Sequence, residues 1–440
     1  MTEFVLIRWL CLAVPVALTV VLWRRSTERG CEWHRQTPAS PPSAAVATDG
    51  SRRAAAALLG SLFAFVALGV ANQLAVSVGW WTFAPVPGSF LGVPLDLWIG
   101  WALCWGALPV LLPGRLLLWV LTCAWFDLLL MPRLDGLVQL GPHWLYGEAV
   151  ALLIVLVPAL LLGRWTVARR RLTGRVILQL VTFTGLVLWL LPSAVMDQGD
   201  GAWSHLLDGP VWRTSLIAQL MVLASVPALA AVVEFAVRGR GTPYPWDPPE
   251  HLVTTGPYAY LSNPMQASVV VMLALLAIGT QSWSLALATV GAVSFSHFLA
   301  DPHEREQLNA RQPEWRAYDR AVRPWVVRRR PYQPEAELYL SETCTICTQT
   351  RALIESTGPR GLTISPAETY TVVGLRRALY VGPDGLRVSG LGAIARAFQH
   401  SGPGWAYVGW LIGLPVVRPV LQLLLDGMGG GERDLPARSP

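Results

Sequence analysis

Arg238-Gly-Arg-Gly-Thr-Pro-Tyr-Pro-Trp-Asp-Pro-Pro-Glu-His251, then Leu-Val-Thr-Thr-Gly256-Pro-Tyr-Ala-Tyr260-Leu-Ser-Asn-Pro264, gathers arginines, tyrosines and an asparagine amide in one short stretch. It is too rich in proline and glycine to be a single helix, which predicts an ordered loop with turns at Gly256-Pro257 and Asn263-Pro264. Downstream, Asp301-Pro-His-Glu304-Arg-Glu-Gln-Leu308 runs through Trp315-Arg-Ala-Tyr318 to Val322-Arg-Pro324 as a charged amphipathic segment. One apolar hairpin separates the two, so both emerge on the same membrane face. A loop and a helix placed this way can close over a polar cofactor. The bland alternative is a proline-rich juxtamembrane loop beside an interfacial helix.

The second candidate is Cys344-Thr-Ile-Cys347. It follows a short alternating strand, Glu337-Leu-Tyr-Leu-Ser341, and leads into an apparent helix, residues 348–357. At a helix N-terminus the first cysteine of such a pair is stabilised as thiolate and the second can resolve a mixed disulfide. Half a zinc site is the alternative, but no second pair follows and His400 alone is a poor complement, so no metal site is expected. Two ordinary buried cysteines are a further alternative. Cys31 and His34, in Cys-Glu-Trp-His, lack further ligands nearby. Acids also fall in apolar stretches: Asp96, Asp127, Glu148 and Glu234. Such acids are functional hypotheses by default, although snorkelling or a structural hydrogen bond accounts for the first three, which sit toward span ends.

The elements that must position these residues are set by composition. The chain has 440 residues, 53% hydrophobic and 14% charged; ordinary soluble domains carry about 25% charged residues. A multi-spanning membrane protein is expected, and disordered, collagen-like and disulfide-stapled classes are excluded. Nine apolar stretches approach spanning length, near 3–23, 54–78, 91–112, 115–131, 144–163, 176–194, 212–237, 264–281 and 283–300. All 34 basic residues are arginine. With the first span running from outside to inside, 22 of the 25 arginines before residue 331 fall on one side, which the positive-inside rule makes cytoplasmic. Residues 331–440 hold nine arginines and nine acids, so the net charge of +6 lies upstream. It marks topology and not a nucleic-acid surface. The expected location is the cell inner (cytoplasmic) membrane, with the N-terminus outside and the C-terminal tail cytoplasmic.

Residues of about 175–330 resemble the integral-membrane methyltransferases that include isoprenylcysteine carboxyl methyltransferase and the phospholipid N-methyltransferases. The carrying motifs are Gly-Arg-Gly-Thr-Pro-Tyr-Pro and Leu-Val-Thr-Thr-Gly-Pro-Tyr-Ala-Tyr-Leu-Ser-Asn-Pro-Met, followed after the hairpin by the acid, aromatic and Val-Arg-Pro positions. The resemblance implies S-adenosylmethionine as cofactor and a membrane lipid or isoprenoid-like acceptor in the bilayer. It places Gly256, Pro257, Tyr258, Tyr260, Asn263, Pro264, Glu304, Trp315 and Tyr318 around the cofactor, with Glu304 and Asn263 closest to catalysis. A sulfonium suits a carboxylate and aromatic faces, and methyl transfer needs mainly in-line alignment. Ser262, Gln266 and His303 stand where the family has arginine, tyrosine and a first acid.

The tail resembles the small thiol-disulfide oxidoreductase-like family with an Asp-x-x-Cys-x-x-Cys (DCC-type) signature, Ser341 standing at the Asp position. That implies a thioredoxin-like fold, redox roles for Cys344 and Cys347, and a thiol redox partner. The expected architecture is an all-α polytopic membrane protein of about nine transmembrane helices with a C-terminal α/β thioredoxin-like domain. Its parts are an anchor and flexible linker at 1–53, helices of unassigned role at 54–174, a methyltransferase-like region at 175–330 and the tail at 331–440. The competing functional reading is a membrane-anchored redox protein that uses the methyltransferase-like region as scaffold.

Overall fold

The computed structural model describes residues 2–36, 49–112, 114–244, 249–300, 314–332, 334–370 and 378–430. These form two compact units: Met1–Ala194 with Gly241–Pro248, and Val195–Arg240 with Pro249–Pro440.

In the first unit the apolar runs form α1 (Thr2–Gln36), α2 (Asp49–Val78), α3 (Leu95–Leu111), α4 (Leu116–Leu134), α5 (Trp144–Ala168) and α6 (Leu172–Gln198), the last ending at the unit boundary. Of the flexible linker expected over 24–53, residues 24–36 continue α1 and α2 begins at Asp49, while 37–48 lie outside the described residues. No proline interrupts residues 24–36, so helix persists until the chain approaches Pro38. A two-stranded ribbon of β1 (Trp81–Phe83) on β2 (Val138–Leu140) joins the ends of α2 and α4. The core centres on Leu59, Phe63, Val155, Leu156 and Leu160. Helix α2 can lie close to its neighbours because Gly60 faces the backbone carbonyls of Ala159 and Gly106; a Cβ there would sit 3.3 Å from each. Arg8, alone within the first span by sequence, pairs its Nε with Asp96 Oδ2 at 2.7 Å and bonds the Pro87 carbonyl.

The second unit begins with α7 (Val211–Val237), then α8 (Pro264–Thr280) and α9 (Trp283–Phe298) as an antiparallel hairpin. Pro264 starts α8 at the first position, where a missing N–H costs nothing. Ser282 caps α9 by accepting the Leu285 N–H. Asp200 accepts the Ser284 and Trp283 N–H groups and the Ser282 hydroxyl, bonds that hold its carboxyl below the usual range. α10 (Trp315–Ala321) precedes a sheet of β3 (Ala336–Leu340), β4 (Leu362–Pro366), β5 (Ala378–Val381) and β6 (Arg387–Ser389). Spatial order is β4-β3-β5-β6, with β3 and β4 parallel and the other pairs antiparallel. α11 (Thr345–Ser356) follows β3; α12 (Leu391–Phe398), α13 (Pro403–Gly413) and α14 (Val417–Leu425) end the chain, the last two bent by 88° around Pro415.

The fold is predominantly helical and multi-pass, but the expectation of nine spans is corrected. Six described helices are long and apolar enough to cross a membrane, or seven if the bent α13–α14 pair is one span. The expected spans at 91–112, 264–281 and 283–300 are helices of 17 residues or fewer. At 1.5 Å per residue they reach about 25 Å, short of a hydrocarbon core of about 30 Å. Proline and glycine in their flanks shorten them.

Candidate functional site

The loop after α7 is built around a buried carboxylate. Glu234, one turn before the end of α7, is 3% exposed. Its Oε1 accepts the Thr255 hydroxyl at 2.5 Å and forms an ion pair with Arg238 Nε at 2.9 Å, and Arg396 Nη1 lies 2.7 and 2.8 Å from its two oxygens. Arg238 reaches onward to Asp384 at 3.0 Å. Gly256 follows Thr255 with φ +63°, and a Cβ there would meet Glu234 Cγ and Cδ at 3.2 Å. Glycine is required twice over, for the left-handed backbone and for the close approach.

Gly256, Pro257, Tyr258 and Ala259 form one buried 3-10 turn, held from both sides. The Tyr318 hydroxyl donates to the Tyr258 carbonyl at 2.8 Å, Tyr332 N–H to the Ala259 carbonyl at 2.9 Å and Arg328 N–H to the Tyr260 carbonyl at 3.0 Å. On the other side the Tyr260 hydroxyl donates to the Ser401 carbonyl at 2.5 Å and lies 3.1 Å from that of Gln399, while its ring meets Trp410 edge-on at 5.5 Å. Burial pushes both tyrosine hydroxyls up, so they stay neutral donors. Trp315 and Tyr318 rings stand 5.4 Å apart, and the buried Trp315 Nε1 has no hydrogen-bond partner among the described residues. Asn263 precedes α8, its amide donating to Gln266 Oε1 at 3.2 Å, which also accepts Ser296 Oγ at 3.2 Å. Pro264 is buried at the helix start.

Thus Gly256, Pro257, Tyr258, Tyr260, Trp315 and Tyr318 come together. Asn263 and Pro264 lie at the exit of the same loop, and Glu304, with His303 and Arg305, falls outside the described residues. Beside the turn, a cavity of about 210 Å³ brings Pro257 and Glu234 up to Arg396, Gln399, Arg418 and Trp410. Sequence reasoning marked Glu234 as an intramembrane acid but missed Arg396, which is nothing more than one arginine in an amphipathic helix until the fold is known.

Residues 215–310 match the phospholipid methyltransferase family. The matched segment runs through α7, the buried turn, α8 and α9, the elements that carry the loop geometry. No curated protein and no solved structure matches the chain.

The Cys-x-x-Cys lies outside the matched segment. Cys344 is the residue before α11, Cys347 is buried a turn in, and the two are not disulfide-linked. Ser341 donates to Glu368 Oε1 at 2.7 Å, and the Glu342 N–H lies 3.1 Å from the same oxygen. Partial burial opposes charge on Glu368, but these bonds hold its carboxyl below the usual range. A carboxylate from the turn after β4 therefore sits against Ser341, three residues before Cys344.

Proposed function

We propose that this protein is a membrane methyltransferase that uses S-adenosylmethionine to methylate a lipid-borne or isoprenoid-like acceptor. The observation that carries the reading is the family match over 215–310, coincident with a buried aromatic turn whose glycine has φ +63° and presses on Glu234. When bound, S-adenosylmethionine supplies an electrophilic methyl group on a sulfonium. Two features fit such a ligand: the Trp315 and Tyr318 ring faces, which suit a cation, and the unpartnered Trp315 Nε1 donor. In this reading Tyr260 and Tyr318 fix the turn through their hydroxyls, Gly256 and Pro257 shape it, and Tyr258 packs on Phe235 at 6.0 Å. Asn263 and Pro264 set the start of α8, with the Asn263 amide as a donor toward a carboxylate and Glu304 as counter-charge. Methyl transfer asks little more of the chain than alignment and exclusion of water.

The arginine asymmetry supports a cytoplasmic site in the inner membrane, with the tail on the same side. Binding of S-adenosylmethionine to the purified full chain in lipid, lost in Asn263→Ala and Glu304→Ala, is the expected result, with label passing from the cofactor into extracted membrane lipids. Absence of binding at about 1 mM cofactor, an affinity weaker than about −4 kcal/mol, overturns the reading.

For the tail, the strand order β4-β3-β5-β6 with one parallel pair, and Cys344 at the start of the helix after the first strand, favour a thioredoxin-like fold. There the two thiols would pass two electrons and two protons to a partner disulfide and become a disulfide themselves. Alkylation of Cys344 that is no faster at pH 7 than for an ordinary thiol removes that reading.

A further inference from the structure

The first unit holds a partly open cavity of about 70 Å³ lined by Trp81, Phe83, Trp98, Trp101, Trp105 and Glu148 among others. The indole N–H groups of the first, third and fourth of these are spent elsewhere. Trp81 donates to Asn72 Oδ1 at 3.3 Å, Trp98 to the Phe65 carbonyl at 2.7 Å and Trp101 to Asp127 Oδ1 at 3.0 Å. Those bonds fix the rings and leave aromatic carbon as what they offer the cavity. Glu148 is 7% exposed, and its Oε1 has no hydrogen-bond partner among the described residues; Asp127 is 1% exposed, and its Oδ2 has none among them either.

The two carboxyls interact with each other, and no arginine among the described residues is paired with either. The contrast with the other buried acids is direct: Asp96 has Arg8, and Glu234 has both Arg238 and Arg396. Carboxyls without a counter-charge in a low-dielectric interior are costly, and a cation from outside the chain would offset that cost. Two π turns bracket the cavity, Leu103–Ala107 carrying Trp105 and Leu152–Leu156 directly after Ala151. Such single-turn insertions recur at functional sites. An inorganic metal ion would want a ring of oxygen, nitrogen or sulfur ligands; no cluster of three such side chains occurs among the described residues.

We propose that this cavity binds an organic ammonium group, seated against the indole faces with Glu148 as its counter-charge. The size is that of several waters, since one water needs about 10–15 Å³ on this scale. It suits a compact primary or methylated ammonium head and not an extended ligand. The site stands on the first unit alone and is independent of the methyltransferase reading of the second.

The test is calorimetry on the full chain in nanodiscs of phosphatidylglycerol, which has no ammonium head. The titrants are choline, a soluble short-chain phosphatidylcholine, and 3,3-dimethylbutanol as the neutral isostere of choline. Saturable binding of a cation but not of the isostere is expected, weakened about tenfold or more by Glu148→Gln and several-fold by Trp105→Leu, with Trp105→Phe retaining most of it. Preference for the phosphatidylcholine assigns the source as a lipid head group, and equal binding assigns it as a free amine. No saturable binding up to about 10 mM, a ceiling near −3 kcal/mol, equal binding of the isostere, or an unaltered affinity in folded Glu148→Gln overturns the proposal. Should Glu148→Gln fail to give monodisperse protein, the isostere comparison and the Trp105 pair decide it alone.

Discussion

Arg396→Met is the most informative perturbation of the second unit. Arg396 comes from α12, yet its Nη1 lies 2.7 and 2.8 Å from the oxygens of Glu234 on α7. Removing one partner of a buried pair typically costs about 3–5 kcal/mol, because the other charge stays buried. Arg238 at 2.9 Å and Thr255 at 2.5 Å remain to Glu234, which puts the cost near the lower limit, about 3 kcal/mol. For a unit of this size 1 kcal/mol shifts the midpoint by roughly 2–4 °C, so a fall of roughly 6–12 °C is expected in thermal unfolding of the purified protein. Glu234→Gln, which leaves two guanidiniums facing an amide, should cost a similar amount. The double variant should be less destabilised than the sum by about 2 kcal/mol, since both single changes break the same contact. Arg351→Met is the control: its i,i+4 pair with Glu355 is half-exposed and is worth at most about 0.5 kcal/mol. A midpoint change in Arg396→Met no larger than in Arg351→Met, or strict additivity in the double variant, refutes the network.

Gly256→Ala should destabilise by about 1–3 kcal/mol more than Gly358→Ala through the added methyl's crowding; both have φ near +63°, but only at Gly256 does a Cβ meet another side chain, so the difference in unfolding midpoint isolates the contact with Glu234. Tyr318→Phe should cost about 1–3 kcal/mol by leaving the buried Tyr258 carbonyl unpaired; no change in midpoint would mean water replaces the hydroxyl. His400 should make the tail acid-sensitive. Burial, with Arg238 and Arg396 nearby, pushes its ring down to about 4 against the bond to the Arg360 carbonyl, while the Tyr380 hydroxyl lies 2.9 Å from its Nε2. Folding therefore favours the neutral ring: its contribution is complete above about pH 6.5 and declines as pH falls from 6.5 toward 4, by up to about 3 kcal/mol. His400→Gln should flatten the stability profile across that window, and a parallel profile would count against it.

The membrane class, the loop after α7 and the aromatic pair of α10 were legible because each is written in local composition or in a turn dipeptide. The number of spans was not. Apolar runs at 264–281 and 283–300 have the composition of a span, but Pro264 at one end and the Gln281-Ser282 turn between them cut the helices to lengths that composition alone does not register. Helix α1 runs on to Gln36 because nothing between residues 24 and 36 stops a helix already under way. Charge pairing was least legible. Arg8 and Asp96 are separated by 88 residues, and Glu234 and Arg396 by 162; neither separation has any local signature.

That last failure has a physical consequence for how the candidate site is held. By sequence the tail is charge-neutral and begins after a run of arginines and prolines, the composition of an appendage. In the fold, its helix α12 supplies the guanidinium that neutralises Glu234, and the carbonyls of Gln399 and Ser401 hold the Tyr260 hydroxyl. Glu234 in turn anchors Thr255 and presses on Gly256. The turn that the methyltransferase reading needs is thus braced from one side by residues of the matched segment's own flank, Tyr318 and Tyr332, and from the other by the tail. Deleting residues 335–440 should therefore do more than remove a domain. It strips Glu234 of one of its two arginines and frees the Tyr260 hydroxyl, so S-adenosylmethionine binding should weaken along with stability. A truncated protein that stays monodisperse and binds the cofactor as the full chain does would show that the tail is an appendage after all.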